Sequence, residues 1–192
     1  MDTAATTPRH LTRDEIAAAM PHILASPKDR GRLEMIVRRP AKRQREVLAS
    51  TPISLAEGVP GDHWNHGSHV MTPDGRPHPD VQICMMNARI LATIAGGRDR
   101  WPLAGDNLIL DMDLSPDNLP PGTRLAIGSA VIEVTAEPHN GCNQFIELFG
   151  RDACVFVNTA EGKANRLRGI YARVVRDGTV SEGDDVVKLP PS

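Results

Sequence analysis

Apolar residues in this chain gather into short runs that alternate with polar ones, and most of these runs stop at Gly, Pro, Asp or Asn. Side chains in a strand point alternately to opposite faces, so such runs read as half-buried strands. Leu33, Met35 and Val37 alternate with Arg32, Glu34 and Arg38 until Pro40 ends the run. Arg124 to Ile127 and Ala130 to Thr135 face each other across Gly128 and Ser129, a hairpin pattern. Ile170, Ala172 and Val174 alternate in the same way, and Asp177 with Gly178 predicts a second hairpin that returns through Val180. Many short strands at close spacing with a few helices predict a mainly β fold, a small closed β-barrel with peripheral helices.

The helical signals are few and capped. Thr12 to Glu15 have capping-box spacing, and Ile16, Met20, Ile23 and Leu24 then share a face that Pro21 must kink or split. Asn87 caps a segment carrying Ile90, Leu91 and Ile94, which Gly96 and Gly97 stop. The run from Cys142 to Gly150 reads as helix, whereas Asp152 to Asn158 fits helix or strand. Arg45 to Ile53 is a weaker strand candidate, and Val81 to Met85 and Asn107 to Leu110 are short ones. Between Glu57 and Asp80 the chain is rich in Gly, Pro, His and Asp and has no hydrophobic period. Long loops of that kind inside a domain usually serve a function, so this one is a candidate wall of a binding site.

At 192 residues the chain suits one domain with a tail. The expected division is an N-terminal tail and short helix over residues 1–30, then a barrel domain over residues 31–189. With 22 basic against 24 acidic residues the formal charge is −2, which argues against a nucleic-acid arm or a membrane-surface patch. A small-molecule substrate is the expected partner. Of the basic residues 18 are Arg, a guanidinium-rich composition suited to planar or anionic ligands. Cys84, Cys142 and Cys154 are odd in number and lack C-x-x-C spacing, so neither a disulfide framework nor a thiolate zinc site is written here. No run approaches the roughly 18 apolar residues of a membrane span, and the start has no basic region followed by an apolar one. A cytoplasmic location is therefore expected.

Motifs of nucleophile elbows, phosphate-cradling loops and HExxH zinc helices are missing from the sequence. Two constellations remain. Cys142 lies in a turn-like stretch directly before a predicted helix, where amide groups and the helix dipole favour an anion such as a thiolate. Asp62, His63, His66 and His69 crowd one glycine-containing loop, and imidazoles with a carboxylate are a plausible set for zinc, iron or nickel, with His78 or His139 completing it in space. Cys84 and Cys154 sit in apolar patterns, as core thiols do.

The C-terminal half reads Gly105, Asp106, Asn107, then LPPGTRLAIGSAVIEVTAEPHNGC, then RGIYARVVRDGTVSEGDDV. The N-terminal half supplies GRLEMIVRRP and GVPGDHWNHG, with a Gly-Asp segment followed by His66 and Gly67. Taken in chain order, these segments resemble the MOSC family, named for the C-terminal domain of molybdenum cofactor sulfurase, over about residues 31–189. The resemblance implies a β-barrel with peripheral helices. It also implies a single cysteine that carries sulfur or holds a molybdenum cofactor, in some members reducing N-hydroxylated compounds. By motif that cysteine is Cys142, which would then be the molybdenum ligand. As an enzyme the chain would be a molybdenum-cofactor-dependent oxidoreductase or a sulfur transferase, with a cysteine desulfurase or an electron-donor protein as partner.

Asn107, His139, Arg168, Tyr171 and Arg173 are the residues the resemblance points to for cofactor binding. Tyr171 and Arg173 are two apart on a predicted strand and share a face, which suits joint anion binding. The family's usual segment is Pro-Arg-x-Pro-Cys with a lysine soon after. Here His139 stands at the arginine position, Gly141 at the second proline, and Asn143 and Gln144 follow Cys142. Two alternatives stay open: a metal-dependent lyase or hydrolase using the loop histidines and a divalent metal such as zinc, and a non-catalytic binding module.

Overall fold

In the computed structural model, which describes residues 9–68 and 70–191, the capping signals set the first elements. Thr12 accepts from the Glu15 amide while the Glu15 carboxylate accepts from the Thr12 amide, starting α1 (Arg13–Ala18). Pro21 is accommodated at the start of a separate α2 (Met20–Leu24). Ile16, Met20 and Ile23 are buried as their shared face requires, but Leu24 is exposed. β1 (Arg30–Arg38) follows. The segment expected as one strand over 45–53 is two, β2 (Glu46–Leu48) and β3 (Ser50–Ile53), and they belong to different sheets.

The unpatterned stretch from Glu57 to Asp80 is not structureless. It carries α3 (Trp64–Gly67) and runs into a 3-10 turn at Pro79–Val81. Polar anchors replace hydrophobic period: Trp64 is buried with its indole N–H donating to the His78 carbonyl at 3.2 Å. β4 (Ile83–Asn87) leads into α4 (Ala88–Ala95), whose first amides donate to the Asn87 side chain and whose end is turned by Gly96 at φ 79°. This helix is the crossover that lets β5 (Leu108–Asp111) pair parallel with β4.

β6 (Arg124–Ile127) and β7 (Ala130–Val134) form the predicted hairpin. Three short helices come next: α5 (Asn143–Phe149), α6 (Arg151–Asn158) and α7 (Ala160–Ala164). The ambiguous 152–158 segment is thus helical, with Ala153, Cys154, Phe156 and Val157 on its buried face. β8 (Ile170–Arg176), β9 (Gly178–Ser181) and β10 (Asp185–Lys188) complete the chain.

Seven strands, β1, β5, β4, β8, β7, β6 and β10, form a continuous mixed sheet that closes where β10 pairs with β1. β2 extends beside the C-terminal end of β1. Closure removes the unpaired edges that an open sheet would present. Along β5, Leu108 and Leu110 fill the barrel interior with Leu33, Ile36, Met85, Ile132 and Val174. Ile109 points the other way, into a second core with Met35, Val37, Met86 and the helical Ile16, Ile90, Leu91 and Phe149. Burying each such aliphatic side chain stabilises the fold by roughly 1.5–3 kcal/mol. Among the described residues no helix is long and apolar enough to cross a membrane.

The predicted 170–180 hairpin is absent. β8 pairs with β7 and β4, whereas β9 pairs with β3 as a separate two-stranded sheet. Asp177 accepts from the Leu55 amide at 2.8 Å, which diverts the chain toward β3. Gly178 serves close packing: a Cβ there would lie 2.4 Å from the Ser129 and Ala130 backbone. An Asp-Gly pair is thus used for backbone approach, although its local chemistry resembles a tight turn.

Candidate functional site

Four chain entries and exits converge outside the barrel wall: the end of β1, the α3 loop, the Gly105–Asn107 approach to β5, and the segment from Pro138 to Arg168 around α5 and α6. Together they enclose a cavity of about 180 Å³. Its lining includes Arg39, Arg45, His63, His139, Cys142, Arg168 and Tyr171. The α3 loop supplies Trp64, Gly67 and Ser68, so the histidine-rich stretch does form a wall of it.

One side of the cavity is a buried polar clamp. Arg39 follows β1 and is 9 % exposed. Its Nε and Nη2 donate to the two oxygens of Asp62 at 2.9 and 2.8 Å, a bidentate pair. Nη2 also donates to Asn107 Oδ1 at 3.1 Å, and Nη1 donates to the Gly105 carbonyl at 3.0 Å and the Cys84 sulfur at 3.3 Å. Five donors therefore have five acceptors. Asp62 is as fully used, accepting in addition from the Arg39 and Trp64 amides and from Asn107 Nδ2. Burial pushes the Asp62 carboxyl up, but these bonds and the Arg39 charge outweigh it and hold it below the usual carboxylate range. Asn107 lies wholly beneath the clamp and also receives the Cys84 amide, so it joins β1, β4 and the α3 loop and does not line the cavity.

The other side is built on Asp106, which is fully buried. Arg168 Nη1 donates to both its oxygens at 3.1 and 2.9 Å, and Nη2 donates to the Ala104 carbonyl at 3.3 Å. His139 Nδ1 lies 3.7 Å from Asp106, and its ring stacks on Tyr171 at 4.4 Å. Here burial raises the Asp106 carboxyl above its ordinary value despite Arg168. Burial likewise raises the Tyr171 phenol, which stays protonated. The Nε–H of Arg168 and that of Arg45 are buried without an acceptor among the described residues. Burial, then the like charge of Arg39, lowers Arg45. Around the cavity as a whole, three arginines face two aspartates, which leaves it short of negative charge.

Of the three cysteines only Cys142 is exposed. It is the N-cap residue of α5, with extended backbone and no side-chain cap bond. α5 begins at Asn143 directly after Cys142, as expected, and the cavity arginines add positive charge on the other side of the cysteine. Burial pushes the Cys84 and Cys154 thiols up, in keeping with core thiols.

The remaining expected residues are dispersed. Arg173 shares the outer face of β8 with Tyr171 but pairs with Glu133 at 2.6 Å and Asp80 at 3.3 Å, and it does not line the cavity. His66 does not line it either, while His63 does, with Nδ1 3.4 Å from Asp62. Burial, then the Arg39 charge, lowers His63, favouring the neutral imidazole. His69 lies outside the described residues. Among the described residues no group of three His, Cys, Asp or Glu side chains is placed to hold a metal, and Asp62 is paired with Arg39. Arg39 and Arg45 were not predicted. Arg39 closes the first alternating run beside Pro40, but nothing local marks it as a partner for a residue 23 positions away.

A family model for the MOSC domain matches residues 62–187. In overall structure the chain is similar to the YuaD protein from Bacillus subtilis, with TM-score 0.61, 21 % identity and coverage of 82 % of this chain and 94 % of that one. YiiM from Geobacillus stearothermophilus gives TM-score 0.55 at 16 % identity, covering 83 % and 75 %. YiiM from Escherichia coli gives 0.53 at 19 %, covering 84 % and 71 %. No functionally curated protein matches it by sequence. The model match spans more than half the chain, from Asp62 to β10, and includes Asp106, Cys142 and Arg168: the chain belongs to the MOSC domain family.

Proposed function

We propose that this protein carries sulfur, or holds a molybdenum cofactor, on the thiolate of Cys142, with the arginine-lined cavity binding the anionic part of the cargo. The observation that supports this reading is that one cavity is lined by the exposed cysteine and by Arg168 and Arg45, each of which has a buried Nε–H without an acceptor among the described residues. A buried donor left without an acceptor costs on the order of 1–3 kcal/mol, which an anionic ligand would offset. A thiolate is a soft ligand or sulfur nucleophile, and guanidinium groups suit phosphate, sulfur anions and carboxylates.

The donor set therefore fits the cofactor that the family is named for. Cys142 would hold the metal, while Arg168 and Arg45 would neutralise anionic groups. When bound, the cofactor supplies two-electron reduction, which in an oxidoreductase of this kind would act on N-hydroxylated substrates with electrons from a partner protein. Arg168 is itself held by Asp106, and His139 is held against Tyr171, so the chain's own part is to orient and neutralise. In the sulfur-carrying case a cysteine desulfurase would load Cys142 directly.

Elemental analysis of freshly purified protein for molybdenum, zinc, iron and nickel, beside a Cys142→Ala variant, separates the possibilities. Molybdenum lost with Cys142 supports the cofactor role. A persulfide on Cys142 after incubation with a cysteine desulfurase and cysteine supports sulfur carriage. Neither result, with the fold intact, removes the proposal and leaves a non-catalytic binding module.

A further inference from the structure

Cys154 lies against the loop that carries Cys142. Its sulfur is 3.7 Å from the Cys142 carbonyl oxygen, and a Cβ added to Gly141 would sit 3.0 Å from that sulfur. The contact is organised by Asn158 on the same helix as Cys154. The Asn158 amide accepts from the Gly141 N–H at 3.2 Å and donates to the Gly141 carbonyl at 3.3 Å, gripping both sides of the residue before Cys142. It also donates to the Cys154 sulfur at 3.6 Å. Gly141 occupies the position where the family's usual segment has proline. Proline would lack the N–H that Asn158 receives, and a larger residue would press on Cys154, Asn158 and Val157. The departure from the usual segment and the buried thiol therefore belong to one arrangement.

We infer that Cys154 is the resolving thiol for Cys142: it attacks whatever electrophilic sulfur species Cys142 carries and closes a Cys142–Cys154 disulfide. Burial first, and then the nearby Cys142, raises the Cys154 thiol above its ordinary value. Asn158 and the start of α5 hold the Cys142 backbone beside Cys154, and the exposed Cys142 side chain can turn about its Cα–Cβ bond toward that sulfur. In a sulfur carrier the Cys142 persulfide is the electrophile. The Cys154 sulfur bonds to the inner sulfur, the bond to the outer sulfur breaks, and the outer sulfur leaves with the electron pair as hydrosulfide, taking up a proton. The outer sulfur is reduced and the cysteine pair is left oxidised, to be reset by a low-molecular-weight thiol or a dithiol reductant. With a peroxide as oxidant, Cys142 first becomes a sulfenic acid and the leaving group is water.

Only the identity of the leaving group rests on the sulfur-carrying reading of Cys142, so two treatments of the full chain separate the claims. Reduced protein, Cys142→Ser, Cys154→Ser and Cys154→Ala are exposed to hydrogen peroxide, or to a cysteine desulfurase with cysteine. Intact mass and peptide mapping then follow each species, with circular dichroism confirming the fold. The expected results are a Cys142–Cys154 disulfide after peroxide that is absent from all three variants, and sulfide release from the wild type where the Cys154 variants retain the persulfide. Gly141→Ala, which keeps both thiols but places a Cβ 3.0 Å from the Cys154 sulfur and the Asn158 amide, should lower the disulfide yield several-fold. Peroxide that drives Cys142 to sulfinic acid while Cys154 stays a thiol would overturn the inference. A peroxide disulfide with no sulfur accepted by any Cys154 variant would instead uphold the thiol pair and overturn sulfur carriage.

Discussion

Two arginine–aspartate pairs border the same cavity and behave in opposite ways. Arg39 and Asp62 are saturated: each donor has an acceptor, and the carboxyl is held low. Arg168 and Asp106 are equally buried but under-coordinated, with an unused Nε–H on the arginine and a carboxyl raised by desolvation. A satisfied buried pair rigidifies the fold and has no capacity left for a ligand, whereas an unsatisfied one is available at some loss of stability. The contrast teaches that residue type and burial do not separate structural from binding arginines; the count of open donors does.

The largest expected effect is on the open side. Cys142→Ser should reduce loading with sulfur or molybdenum to background while changing stability by less than about 0.5 kcal/mol, since the side chain is exposed. Retained loading would move the chemistry away from this cavity. On the saturated side, Arg39→Ala strands a buried carboxylate and should cost about 3–5 kcal/mol. For a chain of this size that lowers Tm by on the order of 10 °C, measurable by calorimetry. A small shift would mean that the clamp is not structural.

The two aspartates should also differ in pH dependence. Asp62 is lowered, so its contribution is present above the unfolded value of about 3.9 and is lost as pH falls toward its folded pKa. Asp106 is raised, so the native state holds its proton longer and this group erodes stability as pH rises above about 3.9 toward its folded pKa. In thermal melts across pH, Asp106→Asn should flatten the decline on the rising side and keep the acid limb. Loss of the acid limb in that variant would erase the distinction between the pairs. The smallest effect belongs to Arg173→Ala, which removes an exposed pair to Glu133 and Asp80 and should cost less than about 1 kcal/mol without altering loading.

Much of this was legible in the residue order. Alternation at 31–38 and 170–174, the 124–135 hairpin, the Thr12 and Asn87 caps and the Gly96 stop depend on contacts within one turn or one hairpin, so local pattern is enough to read them. Cys142 could be singled out because it lies outside the apolar periods that hide Cys84 and Cys154, and the motif order pointed to the same residue. The long unpatterned loop does line the cavity, whereas the use of Asp62 by Arg39 was hidden because the two residues are 23 positions apart.

Sequence alone thus determined the β-rich family fold, the Thr12 and Asn87 helix starts and the Gly96 stop, and singled out Cys142 as the candidate residue, since propensity, capping and period act between neighbours. Only the tertiary structure decided which arginines are saturated, that β9 pairs with β3, that Asn107 is a buried tie, and that Cys154 stands behind Cys142. Those outcomes depend on desolvation and on hydrogen-bond partners brought together by barrel closure, and no local pattern encodes either.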